Sequence, residues 1–230
     1  MRPIRSSEEQ HRRFDSFAVM AAGCDNIGLS ADQRDLYTLI DAVVTDVQAA
    51  SPPFACRAGC NACCYTPPIV TSLEWQALHR HLLTLPTETQ RQIVSNAEAL
   101  RPLAPQLQAK RQARLTPDAP PLPSATLQCP MLVDGQCSVY RARPAICRVF
   151  GFFAHTLPDG ARFFGSELAL AHIQATMPPD LVLPKIEPFA ERVGALHQGT
   201  GTQAYLPQWL WTHTLNGRIS PRLDLSPAFN

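Results

Sequence analysis

The feature that most constrains this chain is a run of four cysteines within nine residues, from Cys56 to Cys64. The spacing is Cys-x3-Cys-x2-Cys-Cys, and three further cysteines follow at positions 129, 137 and 147. Thiolates held this close together repel one another, and burying any of them without a partner costs free energy. A bound cation removes both penalties. The clustering alone therefore indicates a metal or iron–sulfur site.

The adjacent pair Cys63 and Cys64 raises the question of a second metal. Neighbouring side chains diverge in most backbone conformations, so two adjacent thiolates rarely face one ion. Cys64 therefore faces a second metal, bridges two metals, or lies nearby without coordinating. Seven thiolates are one short of two four-cysteine sites. Three arrangements stay open: a shared bridging thiolate, a ligand from outside the motif, or a four-cysteine centre beside a three-cysteine centre with an open position.

The later cysteines flank a predicted β-hairpin over residues 131–139, which has an Asp-Gly pair at its turn. In that register Leu132 faces Cys137. A ribbon that stayed regular as far as Cys129 would place the two cysteines on opposite faces. Because Pro130 cannot continue the ladder, we expect Cys129 to lie outside the strand, where the alternation of side chains between the two faces does not apply.

Three arginines lie among the last two cysteines: Arg141, Arg143 and Arg148. Their guanidinium groups can offset the negative charge of an iron–sulfur cluster or of a zinc–thiolate centre. They are therefore candidate cofactor-binding residues. The alternative is that they are solvated arginines at the surface. The sequence favours neither interpretation over the other.

A few residues outside the cysteine motif also bear on the site. Cys24 is expected to be a small buried hydrophobe, as lone cysteines usually are. His155 follows Cys147 in a phenylalanine-rich segment and is the main candidate for a non-cysteine ligand. His79 and His81 do not share a helix face and are predicted to lie at the surface.

Helical periodicity dominates the rest of the chain. Candidate helices cover, in order, residues 7–21, 30–50, 71–83, 87–100, 101–114, 166–177, 185–197 and 206–215. A second hairpin is predicted over residues 150–164, and the proline-rich residues 115–126 predict a semi-rigid connector. The predicted fold class is α+β, mostly α, with helices around a compact cysteine-rich metal centre and two small β-hairpins.

Several helix starts are predicted from cap residues. Ser30 is the predicted cap of the second helix. Thr71 with Glu74 and Thr87 with Gln90 each have the spacing of a capping box. The second helix has apolar residues at helical spacing that predict a core-facing side: Leu36, Leu39, Ile40, Val43, Val44 and Val47.

Composition narrows the possible partners and compartments. The formal net charge is +1, so no global basic field is available to hold nucleic acid. No apolar run is long enough for a membrane span or signal peptide, and a reducing cytoplasm is the expected compartment. A disulfide-bonded scaffold is the minor alternative. The predicted division is an N-terminal helical addition over residues 1–53, a metal-binding domain over 54–165 and a helical extension over 166–230 that packs on it, with a single compact unit as the alternative.

The cysteine segment resembles the YkgJ family of cysteine-cluster proteins, a family described as zinc- or iron-chelating. The residues that carry the resemblance are Cys56-x3-Cys60-x2-Cys63-Cys64, Cys129-Pro130 and Cys137-x2-Tyr140-x2-Arg143-Pro144-x2-Cys147-Arg148. The resemblance covers roughly residues 54–150 and implies a metal or iron–sulfur role for the seven cysteines. A related segment in flagellin lysine methylases is associated with an iron–sulfur cluster, which favours iron–sulfur over zinc. No glycine-rich cofactor loop supports a methylase here.

Two functions follow as expectations. The first is an iron–sulfur protein with a [4Fe–4S]-type centre and one or two metal centres in all. Its role would be in electron transfer or in an undefined redox or modification reaction. It would act with an unidentified protein or redox partner. The second is a non-catalytic zinc- or iron-binding protein in which the metal is structural or stored. The predicted metal ligands are Cys56, Cys60, Cys63, Cys64, Cys129, Cys137 and Cys147. Catalytic residues and enzyme activity stay open.

Overall fold

The computed structural model describes residues 7–30, 34–50, 56, 59–65, 67–113, 127–158, 160–176, 182–198 and 202–227. Its α-helices are α1 (Ser7–Ala22), α2 (Leu36–Ala50), α3 (Ser72–Leu82), α4 (Thr87–Ala99), α5 (Ala104–Ala113), α6 (Ala145–Val149), α7 (Glu167–Thr176), α8 (Glu187–His197) and α9 (Leu206–Thr212). Its strands are β1 (Ile69–Thr71), β2 (Leu132–Val133), β3 (Gln136–Cys137), β4 (Phe153–Leu157), β5 (Gly160–Phe164), β6 (Gln203–Tyr205), β7 (Thr214–Leu215) and β8 (Arg218–Ile219). The mostly helical α+β class is confirmed. The predicted connector over residues 115–126 lies entirely outside the described ranges.

The chain divides into two compact units, and each unit is made of two separate segments. Unit 1 comprises Met1–Cys63 and Ala145–Gln198, and unit 2 comprises Cys64–Pro144 and Gly199–Asn230. Cys63 and Cys64 therefore belong to different units, although they are adjacent in sequence. The predicted division by residues 1–53, 54–165 and 166–230 stays a prediction.

Helix α2 provides the core of unit 1, where it packs against α1 and α6, and α1 also packs against α8. The apolar face predicted for α2 is confirmed, since all six of its residues are buried. Three of them, Leu36, Ile40 and Val43, are fully inaccessible to solvent. Burying each such side chain contributes about 1.5–3 kcal/mol. The second helix is therefore a main source of the stability of this unit.

The start predicted for α2 is wrong, because Asp35 caps the helix in place of Ser30. Asp35 Oδ1 accepts hydrogen bonds from the backbone N–H groups of Tyr37, at 2.9 Å, and Thr38, at 3.1 Å. Its Oδ2 accepts the backbone N–H of Ser30, at 3.3 Å. One buried carboxylate thus caps the helix and also holds the loop that precedes it.

In unit 2, helix α3 begins as predicted. Thr71 Oγ1 accepts the backbone N–H of Glu74, and the Glu74 carboxylate accepts the backbone N–H of Thr71 at 3.0 Å, which completes a capping box. The capping box predicted from Thr87 and Gln90 is absent, so that prediction is wrong. Helix α4 does begin at Thr87, but its cap position is Pro86 and no side chain caps it. The side chain of Gln90 donates instead to the carbonyl of Leu85, at 2.9 Å.

The described residues contain more β-structure than the two hairpins predicted. Both predicted hairpins are present, as β2–β3 and β4–β5. A third hairpin, β7–β8, turns at Asn216-Gly217, where both residues have positive φ angles of 50° and 70°. Strand β1 also pairs with the distant strand β6 in antiparallel register, with Ile69 opposite Tyr205. Within the described ranges, no helix has the length and the apolar character that crossing a membrane requires.

The core of unit 2 contains two buried histidines, His79 and His213, which are 2% and 1% exposed. The surface position predicted for His79 is therefore wrong. Two tryptophans accompany them, Trp75 and Trp209, whose rings stack with their centroids 5.6 Å apart. His79 Nε2 lies 2.8 Å from the carbonyl oxygen of Ser220.

The contacts of His213 define which of its nitrogens carries the proton. Nδ1 lies 2.8 Å from the carbonyl oxygen of Trp209, which can only accept. Nε2 faces two groups that can only donate, the backbone N–H of Asp224 at 3.0 Å and the indole N–H of Trp75 at 3.4 Å. The neutral ring with its proton on Nδ1 satisfies all three contacts. Burial lowers the pKa of His213 and of His79, which favours the neutral rings.

Candidate metal centre

Four of the seven motif cysteines lie in unit 1. They are Cys56, Cys60, Cys63 and Cys147, and each is half-buried. The first three come from the nine-residue run, and Cys147 lies in the short helix α6, which packs against α2. Unit 1 therefore holds four motif thiol groups from two segments that are far apart in sequence. Four thiolates are the full ligand set of a structural zinc site or of a [4Fe–4S] cluster.

The Cys56 side chain contacts the chain just after the Cys147 helix. The contact is with Gly151, where a Cβ atom would stand 2.1 Å from Cys56 Sγ and 2.8 Å from Cys56 Cβ. Gly151 has φ +91° and its N–H donates to the carbonyl of Phe164, at 2.7 Å. The turn that follows α6 is thus shaped to receive the Cys56 thiol, which brings the first cysteine of the run to the segment that carries the last. By residue type, the four motif thiols of unit 1 are the donors that a thiolate-bound metal takes.

The other three motif cysteines lie in unit 2: Cys64, Cys129 and Cys137. The backbone N–H of Cys129 donates to the carbonyl of Cys64 at 2.5 Å, so these two residues are neighbours, and both are buried. The hairpin register places Leu132 opposite Cys137, as predicted. Strand β2 begins only at Leu132, so Cys129 lies outside the ladder, as predicted.

Arg148 is a buried cation beside a predicted ligand. Its side chain is 3% exposed, and its guanidinium lies 2.5 Å from Asp41 Oδ2 and 4.2 Å from the ring centroid of Tyr37. Tyr37 and Asp41 are four residues apart on α2, so they lie on the same face of that helix. Arg148 therefore fastens α6, which carries Cys147, to α2. This partnership was missed from the sequence, although the i, i+4 spacing of an aromatic and an acidic residue is a readable signal.

The other two arginines differ from each other. Arg143 is buried, with its guanidinium 3.9 Å from the ring centroid of Tyr140, whereas Arg141 is exposed. Arg143 and Arg148 are therefore not at the surface, whereas Arg141 is. A role of these arginines in binding a cofactor stays a prediction.

Cys24 and His155 lie outside the motif, and both belong to unit 1. Cys24 is 1% exposed, which confirms its prediction as a small buried hydrophobe. His155 is half-exposed, and its Nε2 lies 3.7 Å from a carboxylate oxygen of Glu187. Across the described ranges, no group of three or more Cys, His, Asp or Glu side chains is arranged to hold one ion. The full set of seven ligands therefore stays a prediction.

Among known proteins, one family model matches this chain. It covers residues 55–166. The model is named CxxCxxCC and is described as a proposed zinc- or iron-chelating domain. The matched segment is just under half of the chain and contains all seven motif cysteines. The match supports metal binding by this segment, with zinc and iron as the metals. No curated protein and no solved structure matches the chain.

Proposed function

We propose that this protein binds an iron–sulfur centre of the [4Fe–4S] type and serves in electron transfer or in a redox or modification reaction. The observation that carries the proposal is the set of four thiols in unit 1, with Cys56 seated against the turn that follows the Cys147 helix. An all-thiolate set of four is what such a cluster requires, and iron is one of the two metals in the family description. A partner that donates or accepts electrons is implied.

Each residue of unit 1 has a distinct part in this proposal. Cys56, Cys60, Cys63 and Cys147 would hold the centre, which when bound would supply one-electron redox chemistry. Arg148 does not need to touch the centre to affect it. Because it is fastened to Asp41, it fixes the position of α6 and hence of Cys147.

The second candidate function is structural or storage binding of zinc or iron. The same four thiols satisfy the tetrahedral site that structural zinc prefers, and the family description includes zinc. In this case the metal would contribute folding free energy and no redox chemistry.

Anaerobic purification with metal and sulfide analysis distinguishes the two candidates. Protein that is brown, with a broad visible absorption band, bound iron and acid-labile sulfide, supports the iron–sulfur centre. Colourless protein with stoichiometric zinc would refute that centre and support the second candidate. Protein without metal whose cysteines are all oxidised to disulfides would refute both candidates.

Cysteine variants test which residues hold the metal. Cys60→Ser and Cys63→Ser should each abolish metal binding at the four-cysteine centre of unit 1 and destabilise that unit, because metal binding there is folding free energy. Cys24→Ser is the matched control and should keep its metal, since Cys24 is buried outside the motif. If Cys60→Ser and Cys63→Ser both kept their full metal content, the centre would lie elsewhere.

Metal stoichiometry also tests whether unit 2 carries a centre of its own. We propose that Cys64, Cys129 and Cys137 of unit 2 form a three-cysteine centre with an open position, in addition to the four-cysteine centre of unit 1. Cys137→Ser should then lose only part of the bound metal, and Cys147→Ser should lose the remainder. Loss of all metal from both variants would instead mean that the seven cysteines serve a single centre.

A further inference from the structure

The contact between Cys56 and Gly151 has little room to adjust. A methyl group on residue 151 would overlap two atoms of Cys56, its Sγ at 2.1 Å and its Cβ at 2.8 Å. Real Cβ atoms essentially never approach another heavy atom to within 3.0 Å, so one of the two residues would have to move.

Hydrogen bonds hold Gly151 in place from both sides. Its own N–H donates to the carbonyl of Phe164, at 2.7 Å. The residue before it, Phe150, donates to the carbonyl of Ile146 at 3.2 Å, and the residue after it, Phe152, donates to the carbonyl of Val149 at 3.1 Å. Because the turn is fixed in this way, a side chain at position 151 would displace Cys56 more readily than it would displace the turn.

We propose that Gly151 is a positioning residue for the metal centre: its missing side chain creates the space that seats the Cys56 thiolate beside the Cys147 segment. This inference rests on the proposed function of the four thiols in unit 1. Gly151 does not touch the metal in this account. It acts through Cys56, in the way that outer residues orient the ligands of other metal sites.

Gly160 supplies the matched control. It lies in the same unit, also has a positive φ, of +124°, and a Cβ added there would meet no heavy atom within 4 Å. Gly160→Ala therefore carries the backbone penalty of a side chain at positive φ without any contact with a cysteine. The difference between Gly151→Ala and Gly160→Ala isolates the contact with Cys56.

The first measurement is zinc and iron affinity by competition with a chelator. Gly151→Ala should bind metal about 10- to 100-fold more weakly than the wild-type protein, which is the usual effect of residues that orient metal ligands. Gly160→Ala should bind with wild-type affinity. Equal affinity in wild type and Gly151→Ala would overturn the inference. Absence of metal from the wild-type protein itself would instead overturn the proposed function.

The second measurement needs no metal. In metal-free protein, Cys56 should be alkylated by a maleimide several-fold faster in Gly151→Ala than in wild type or Gly160→Ala, as read by mass spectrometry of the Cys56 peptide. A double-mutant cycle adds a thermodynamic test, because Cys56→Gly removes both atoms that a methyl at 151 would meet. Gly151→Ala should shift the urea midpoint less in that background. An unchanged alkylation rate together with an unchanged midpoint shift would refute the seating of Cys56 by Gly151.

Discussion

The two buried histidines of unit 2 predict a stability that falls in mild acid. Neutral His213 accepts two N–H groups at Nε2, from Asp224 and Trp75. A proton added at Nε2 would turn this acceptor into a donor that faces two other donors. His79 is equally buried and lies 5.4 Å from His213, ring centroid to ring centroid, so protonating both rings would also place two positive charges side by side.

The direction of the effect follows from the lowered pKa values. Burial lowers the pKa of both rings in the folded protein, although the backbone carbonyls of Ser220 and Trp209 and the Asp224 carboxylate oppose the shift. The unfolded chain therefore binds more protons than the folded protein once the pH falls towards about 6.5, the ordinary histidine value. The stabilisation is complete above that pH and is lost as the pH decreases towards the folded-state pKa values. Each histidine contributes a slope of at most about 1.4 kcal/mol per pH unit, so the pair contributes at most about 2.7.

The assay is urea unfolding followed by tryptophan fluorescence between about pH 5 and pH 8. Thiolate–metal centres also weaken in acid, so the comparison is between variants at each pH. His213→Gln should lose about 1–3 kcal/mol at the alkaline end, because one amide cannot reproduce both the Nδ1–H donor to the Trp209 carbonyl and the Nε2 acceptor of the Trp75 and Asp224 N–H groups. The slope of its stability against pH should then be smaller than that of the wild type by the contribution of one histidine, which is at most about 1.4 kcal/mol per pH unit. If His213→Gln and His79→Gln both kept the wild-type slope, the assignment of buried neutral rings would be wrong.

Two further changes test local contacts by chemical denaturation. Arg148→Ala should lower the free energy of unfolding by about 1.5–3 kcal/mol, because a charge-assisted hydrogen bond to Asp41 and the stacking on Tyr37 are lost. The free energy of unfolding of Arg148→Lys should lie between those of the wild type and Arg148→Ala. If Arg148→Ala were as stable as the wild type, the arginine would not fasten α6. Thr71→Ala should cost about 0.5–2 kcal/mol through loss of the α3 cap. The matched change Thr87→Ala should cost less, since no side chain caps α4, and equal costs would contradict the observed difference between the two helix starts.

Sequence reasoning succeeded where the signal is local. The capping box of Thr71 and Glu74, the apolar face of α2 and the register of the β2–β3 hairpin all depend on residues within a few positions of one another. Ser30 and Asp35 are both good cap residues, and only the position of the preceding loop decides between them. The Asn216-Gly217 turn was a readable hairpin signal that the helical interpretation of residues 206–215 obscured.

The failures concern contacts between residues far apart in sequence. His79 was predicted at the surface from its helix alone, yet it is covered by residues 213–220, more than 130 positions later. The β1–β6 pairing was missed for the same reason, because a strand of three residues has too little sequence pattern to predict its partner. For the candidate site, the seven cysteines could be selected from spacing. Their distribution over two units and the contact of Cys56 with Gly151 depend on tertiary packing, which spacing does not encode.

The interleaving of the two units has a consequence for how the protein is made. Unit 1 needs residues 145–198 and unit 2 needs residues 199–230, so neither unit is complete when the first half of the chain leaves the ribosome. Cys147 is synthesised 84 residues after Cys63, which at roughly 5–20 residues per second leaves the early thiols of unit 1 without it for roughly 4 to 17 seconds. During that interval the nascent chain presents an incomplete ligand set. Loading of the proposed four-cysteine centre is therefore a late event in biogenesis, coupled to the closing of unit 1.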